Sequence, residues 1–200
     1  MENNSTFKRN LMLAEMAILT AIIIVMTFVP YLGYISYGAL SITLIHIPVI
    51  VGACLLGAKS GAYLGAVWGV SCIIKAVLAP PSPLEGIIFR NPLIALIPRV
   101  LMGLVAGLIS SGKKIPGPVA NILSAIAACL TNTVLVMGGI YLIYGEKYGA
   151  ELNIASVNFG GLTNYILAAF GINAVIEIIT AVIITIPAVK ALSKLKARGR

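Results

Sequence analysis

Charge is what this chain has least of. Of its 200 residues only 10% are Asp, Glu, Lys or Arg, and aspartate does not occur at all. A soluble domain needs about 25% charged residues to coat its surface. A water-soluble enzyme or nucleic-acid-binding domain is therefore excluded. Histidine occurs once, at His46, so a helix-borne H-E-x-x-H metal site is impossible and a Ser–His pair has one candidate base. The three cysteines, Cys54, Cys72 and Cys129, stand in apolar runs and form no C-x-x-C. An odd, unpaired set implies neither a disulfide framework nor a zinc site. There is no P-loop, no G-x-G-x-x-G and no G-x-S-x-G. No cofactor is expected, and the chain is not expected to hydrolyse nucleotide itself.

Apolar sequence fills the space that charge leaves. Hydrophobic residues make up 60% of the chain and mean hydropathy is +1.04. Six continuous apolar runs stand out, at about 11–29, 40–56, 62–78, 92–109, 119–144 and 162–189. Each approaches the roughly 20 residues that cross a bilayer core of about 30 Å. Turn-rich joints separate them: Tyr31 to Gly38, Gly57-Ala58-Lys59-Ser60-Gly61, Ala79-Pro80-Pro81-Ser82-Pro83 and Ser110 to Lys114. The runs do not alternate, which excludes an outer-membrane barrel. The first lacks an A-x-A-like cleavage site and is long enough to span, so it reads as a helix and not a signal peptide. The expectation is one all-α membrane domain, residues 1–200, with six transmembrane helices.

Fourteen Lys and Arg against six Glu give a net charge of +8. With both termini inside, the cytoplasmic side holds Lys8, Arg9, Lys59, Lys113, Lys114, Lys190, Lys194, Lys196, Arg198 and Arg200. The outer half keeps Lys75, Arg90, Arg99 and Lys147. That bias is the positive-inside pattern, so the charge orients the chain and does not call for nucleic acid. The expected topology is N-in, C-in. The outer joints are the longer ones, and the working face is expected there.

Ionisable residues inside spans are costly and mark function or internal pairing. Arg99 lies seven residues beyond Pro92, about 10 Å below the outer end of its helix. It either binds an anion through its planar fork or is used up on Glu177 or backbone carbonyls. Asn132 and Asn173 lie about 16 and 15 Å from the outer ends of their helices, a depth at which they could meet Arg99. Interhelical hydrogen bonding is the plainer role for each. Asn158 and Asn164 sit at the outer mouth, as loop caps or ligand contacts. Glu177 lies one turn below Asn173, and a structural role outweighs a binding one. Glu15 falls near the cytoplasmic end of the first helix. Lys75 and Arg90 either draw in an anion or snorkel to the interface. Small residues recur at Ala14, Ala17 and Ala21, at Gly61, Gly65 and Gly69, and at Gly103 and Gly107. Such stripes let helix backbones approach closely. The glycines are expected to pack within the bundle; the alanines suit either that or a separate membrane subunit.

The chain resembles the substrate-binding S components of energy-coupling factor (ECF) vitamin transporters. The likeness is carried by Ala17-x-x-x-Ala21, the joint Leu56-Gly57-Ala58-Lys59-Ser60-Gly61-Ala62-Tyr63 and the run from Ser41 to Ala53. Together with Phe89-Arg90-Asn91-Pro92-Leu93 and Pro98-Arg99-Val100-Leu101, that run is similar to the pantothenate-specific branch. The resemblance implies a vitamin bound between the outer loops and helices four to six. It also implies docking through Ala14, Ala17 and Ala21 to a transmembrane coupling subunit driven by two ATPases, and toppling to release the vitamin inside. Pantothenate, a small carboxylate with hydroxyl and amide groups, suits Arg99 with Asn132, Asn173, Asn164 and Asn158, assisted by Arg90, Lys75 and Tyr34. Riboflavin would call instead on Tyr31, Tyr34, Tyr37, Trp68 and Phe89. A membrane scaffold is the alternative of another class, and it has no reason to bury Arg99 beside Asn173.

Overall fold

A computed structural model describes residues 2–37, 40–80, 83–112, 115–151 and 159–198. Within these, the side chains of 2–5, 35–37, 40, 41, 83, 84, 145–151, 159–170, 172 and 196–198 are outside the description. Helix α1 (Glu2–Phe28) stops two residues before Pro30, which cannot continue it. Tyr31 takes the left-handed conformation (φ 63°) in the turn that follows.

The second apolar run departs from expectation. It is not one helix. Strands β1 (Tyr34–Tyr37) and β2 (Leu40–Thr43) form an antiparallel hairpin, with Tyr34 opposite Thr43 and Tyr37 opposite Leu40. Helix α2 (His46–Leu56) has 11 residues, about 16 Å of rise against a core of about 30 Å. The β-branched Ile42 and Thr43 suit the strand, whereas α2 forms against the propensity of Ile47, Val49, Ile50 and Val51, because burial of His46 to Ala53 in the core decides it.

Helix α3 (Ala58–Leu78) begins inside the joint expected to be a loop. The turn shrinks to Gly57, whose φ of 89° suits a residue without Cβ. Helix α4 (Pro83–Ile88) is short, and α5 (Pro92–Ala95) opens with the Asn91 side chain accepting the Leu93 N–H at 3.0 Å. A break at Leu96 separates it from α6 (Ile97–Ser110). Helices α7 (Gly117–Glu151) and α8 (Phe159–Arg198) complete the chain. Among the described residues, five helical stretches are long and apolar enough to cross a membrane: Thr6–Phe28, Ala58–Leu78, Pro92–Ser110, Gly117–Tyr144 and Asn173–Leu195. The sixth expected span is the place taken by the hairpin and α2.

The glycine stripes explain how the bundle closes. A Cβ on Gly61 would lie 2.2 Å from the Gly103 carbonyl oxygen, one on Gly65 2.0 Å from that of Arg99, and one on Gly107 2.3 Å from Ala58 Cα. Helices α3 and α6 therefore cross antiparallel with backbones in contact. Such packing holds membrane helices together where lipid offers no hydrophobic contrast. Around the crossing, Ile23, Val49, Ile50, Leu64, Trp68, Met102, Ala125 and Ala181 form a continuous core. The outward faces stay apolar, with Ile18, Leu78, Val134, Leu142 and Ile183 all exposed.

Candidate functional site

One end of the bundle gathers the C-terminal ends of α1 and α3, the hairpin, α4, α5 and the first turn of α6. Lys75, in the last turn of α3, donates to the Thr27 carbonyl of α1 at 2.8 Å and lies 4.4 Å from the Tyr34 ring centre. Arg90 is exposed and donates through Nε to the Ala76 carbonyl at 3.4 Å. Both cations therefore cap helix carbonyls, the position in which a cation best meets a helix C-terminus.

Arg99 sits at the centre of this end and is buried, 5% exposed. Its position follows from local chemistry. The Ile94 carbonyl would accept the N–H four residues later, but residue 98 is proline and has none. The Arg99 guanidinium supplies the missing donor through Nη1. Opposite, Gly65 lets α3 approach the Arg99 backbone. The guanidinium carbon then lies 5.0 Å from the Trp68 ring centre and 5.3 Å from that of Phe89. Two aromatic rings thus hold the cation and exclude water, as cation–π pairs do. Nε of Arg99 is buried without a hydrogen-bond partner, and among the described residues no carboxylate reaches the guanidinium within 4.0 Å. Arg99 thus meets a backbone carbonyl, one of the partners the sequence allowed, and keeps one donor, Nε, unused among the described residues.

Trp68 is fully buried and donates through Nε1 to the Tyr34 hydroxyl at 3.4 Å. That hydroxyl also lies 3.2 Å from Cys72 Sγ. Tyr34 therefore ties the hairpin to the Arg99 cluster through its hydroxyl.

The other expected residues are only partly assembled. Asn132, half-buried on α7, has its Oδ1 buried without a hydrogen-bond partner among the described residues. Asn173 donates to Glu177 Oε1 at 3.5 Å, and the same oxygen accepts the Thr43 N–H at 2.8 Å. No hydrogen bond among the described residues ties Arg99 to Asn132 or Asn173. Glu177 hydrogen-bonds the hairpin, and among the described residues it makes no ion pair with Arg99 within 4.0 Å, although the two charges still interact at longer range. His46 is buried with Nε2 unpartnered. Asn158 and the side chain of Asn164 lie outside the described residues, as does the side chain of Tyr37. Tyr31 is 82% exposed, away from the cluster. Ala14, Ala17 and Ala21 are all exposed on α1. The sequence offered backbone carbonyls as partners of Arg99 without singling out Ile94, although the proline four residues on was a legible signal for it. The placing of Trp68 and Phe89 on Arg99 carried no such local signal.

A model of the family described as ECF transporter, substrate-specific component, matches residues 11–189. The pantothenate transporter PanT of Leuconostoc mesenteroides subsp. mesenteroides is 32% identical over 181 residues, covering 82% of this chain and 83% of that protein. The pantothenic acid transporter PanT of Lactococcus lactis subsp. cremoris is 34% identical over 165 residues, covering 76% of this chain and 78% of that protein. A match along nearly the whole chain, on a bundle of apolar helices around one buried arginine, shows that this protein belongs to the substrate-specific components of ECF transporters.

Proposed function

We propose that this S component binds pantothenate at the hairpin end of the bundle, with Arg99 taking the carboxylate. The observation that carries it is the buried guanidinium with an Nε donor unused among the described residues and no described carboxylate within 4.0 Å. A carboxylate accepts two parallel N–H bonds from such a fork. Asn132 and Asn173, with Asn164 and Asn158 at the mouth, would serve the hydroxyl and amide groups. Tyr34 closes the site from the hairpin, while Arg90 and Lys75 add positive potential at its entrance. The relatives named as pantothenate transporters support the same substrate. Riboflavin is not favoured, because Trp68 and Phe89 already face the guanidinium. A scaffold would leave the unused Nε donor of the buried cation unexplained. The test uses the sole tryptophan, Trp68. Pantothenate added to the purified protein should change its emission saturably and riboflavin should not compete; no response to pantothenate would refute the assignment.

The orientation proposed is N-in, C-in, with the hairpin and α2 together completing the second crossing and the site facing outward in the plasma membrane. The distribution of Lys and Arg supports it. A cysteine placed at Ala79 should react with an impermeant thiol reagent in intact cells, and one at Ser111 should not. The reverse labelling would invert the topology.

Energy is expected to come from a transmembrane coupling subunit and two ATPases, as membership of the ECF substrate-specific components suggests. The docking face proposed is Ala14, Ala17 and Ala21. All three are exposed on a helix whose surface is otherwise bulky, including Leu13 and Ile18. Ala17→Leu should reduce pantothenate uptake by about tenfold or more in cells, by preventing close backbone approach, yet leave binding by the isolated protein intact. Undiminished uptake would remove this face from the docking model.

A further inference from the structure

Glu177 reaches across the bundle to a backbone amide 134 residues away in sequence. The hydrogen bonding of the hairpin explains why that amide is free to be reached. Leu44 N–H donates to the Gly33 carbonyl, which makes the opposed pair Tyr34 and Thr43 a non-hydrogen-bonded one. The Thr43 N–H therefore points away from β1, on the open edge of the two-stranded sheet. A polar edge group in a dry environment needs a partner, and Glu177 Oε1 supplies it from α8 at 2.8 Å. Asn173, one turn earlier on α8, donates to the same oxygen and steadies the carboxylate. The other strand is held at the opposite side, where Tyr34 meets Trp68, Cys72 and Lys75. The hairpin is thus a strap tied to α3 at one strand and to α8 at the other. Its α3 anchor, Trp68, is the ring that covers Arg99.

We propose that Glu177 is a positioning residue for ligand retention: by fastening Thr43 it holds the hairpin strap closed, and the lifetime of that bond sets how fast pantothenate leaves. This rests on the reading of Arg99 as the carboxylate site. Glu177 acts on release and not on recognition, because it is spent on the hairpin. A hydrogen bond to a buried backbone amide is strong enough for its loss to change the open population by about tenfold.

The test measures Thr43 amide hydrogen exchange in the ligand-free full chain, and pantothenate association and dissociation by Trp68 emission. In Glu177→Ala both Thr43 exchange and dissociation should quicken about tenfold, and association should quicken with them, because the ligand enters by the same opening. Glu177→Gln keeps an acceptor oxygen and should stay within about threefold of the native chain. Thr43→Pro removes the donor without costing a ladder bond, since that N–H faces outward. It should release pantothenate as fast as Glu177→Ala although Glu177 is intact, and it decides the matter if the alanine variant does not fold. Unchanged Thr43 exchange in Glu177→Ala, or native release from Thr43→Pro, would overturn the proposal. So would an equal loss in Glu177→Gln, which would make Glu177 a direct ligand contact. Failure of the native chain to bind pantothenate would sink the substrate reading, while Thr43 exchange would still decide whether Glu177 fastens the strap.

Discussion

Arg99→Ala should lower pantothenate affinity by roughly 10- to 150-fold, the loss of a hydrogen-bonded charge pair of about 1.5–3 kcal/mol. The bundle should still fold. Arg99 holds one hydrogen bond within the protein, to the Ile94 carbonyl, and two ring contacts. Removing it orphans that carbonyl and leaves space beside Trp68, a cost on the order of 1–3 kcal/mol and not a collapse. Arg99→Lys should recover part of the affinity. An ammonium can meet the carboxylate as a point charge but cannot offer a parallel fork while also serving Ile94. An internal pair with Glu177 would behave differently: Arg99→Ala would destabilise strongly, and Glu177→Gln would rescue it. Binding and thermal unfolding measured on the three variants together separate the two. Native affinity in a folded Arg99→Ala protein would end the carboxylate assignment.

Gly65→Ala should be more damaging to the fold than any change on the lipid-facing surface. The added methyl would lie 2.0 Å from the Arg99 carbonyl oxygen and 2.7 Å from its carbonyl carbon. Both are backbone atoms, so no rotamer change relieves the clash. Helices α3 and α6 must separate, which also loosens Gly61 against Gly103 and Gly69 against Leu96. Overpacking of this kind costs about 1–3 kcal/mol or more. Because the displaced backbone is that of Arg99, pantothenate affinity should fall together with the melting temperature. Gly138→Ala is the control, since a Cβ there meets nothing within 4 Å. A Gly65→Ala protein that melts and binds like the native chain would show that the helix crossing does not set the site.

Much of this architecture was legible in residue order. The glycine spacing on α3 and α6 announced a close crossing, because four residues return to the same helix face. A lone arginine seven residues past Pro92 announced a buried cation. The hairpin was not legible as such. Leu40 to Leu56 is largely apolar, and a short strand followed by a short helix has no periodicity to distinguish it from one long helix. The joint at Gly57 was read as too long for a related reason: Ala58, Lys59 and Ser60 all tolerate helix, and only the glycine needs to turn. The depths of Asn132, Asn173 and Arg99 could be estimated along each helix, but rotation about the helix axes could not. That rotation directs Asn173 to Glu177 and leaves Arg99 to Trp68 and Phe89. Lys75 and Arg90 illustrate the same limit. Their charges were plain, whereas the carbonyls they cap depend on where α1 and α3 end.

The carboxylate claim is tested most directly by pairing two ligands with two proteins. Pantothenate and its alcohol analogue, in which a neutral hydroxymethyl group replaces the carboxylate, are titrated into the native chain and into Arg99→Ala, with Trp68 emission as the signal. The account predicts that the native chain discriminates between the two ligands by at least about tenfold and that Arg99→Ala binds both with the same reduced affinity. Equal affinity of the native chain for both, or discrimination that survives in Arg99→Ala, would contradict it.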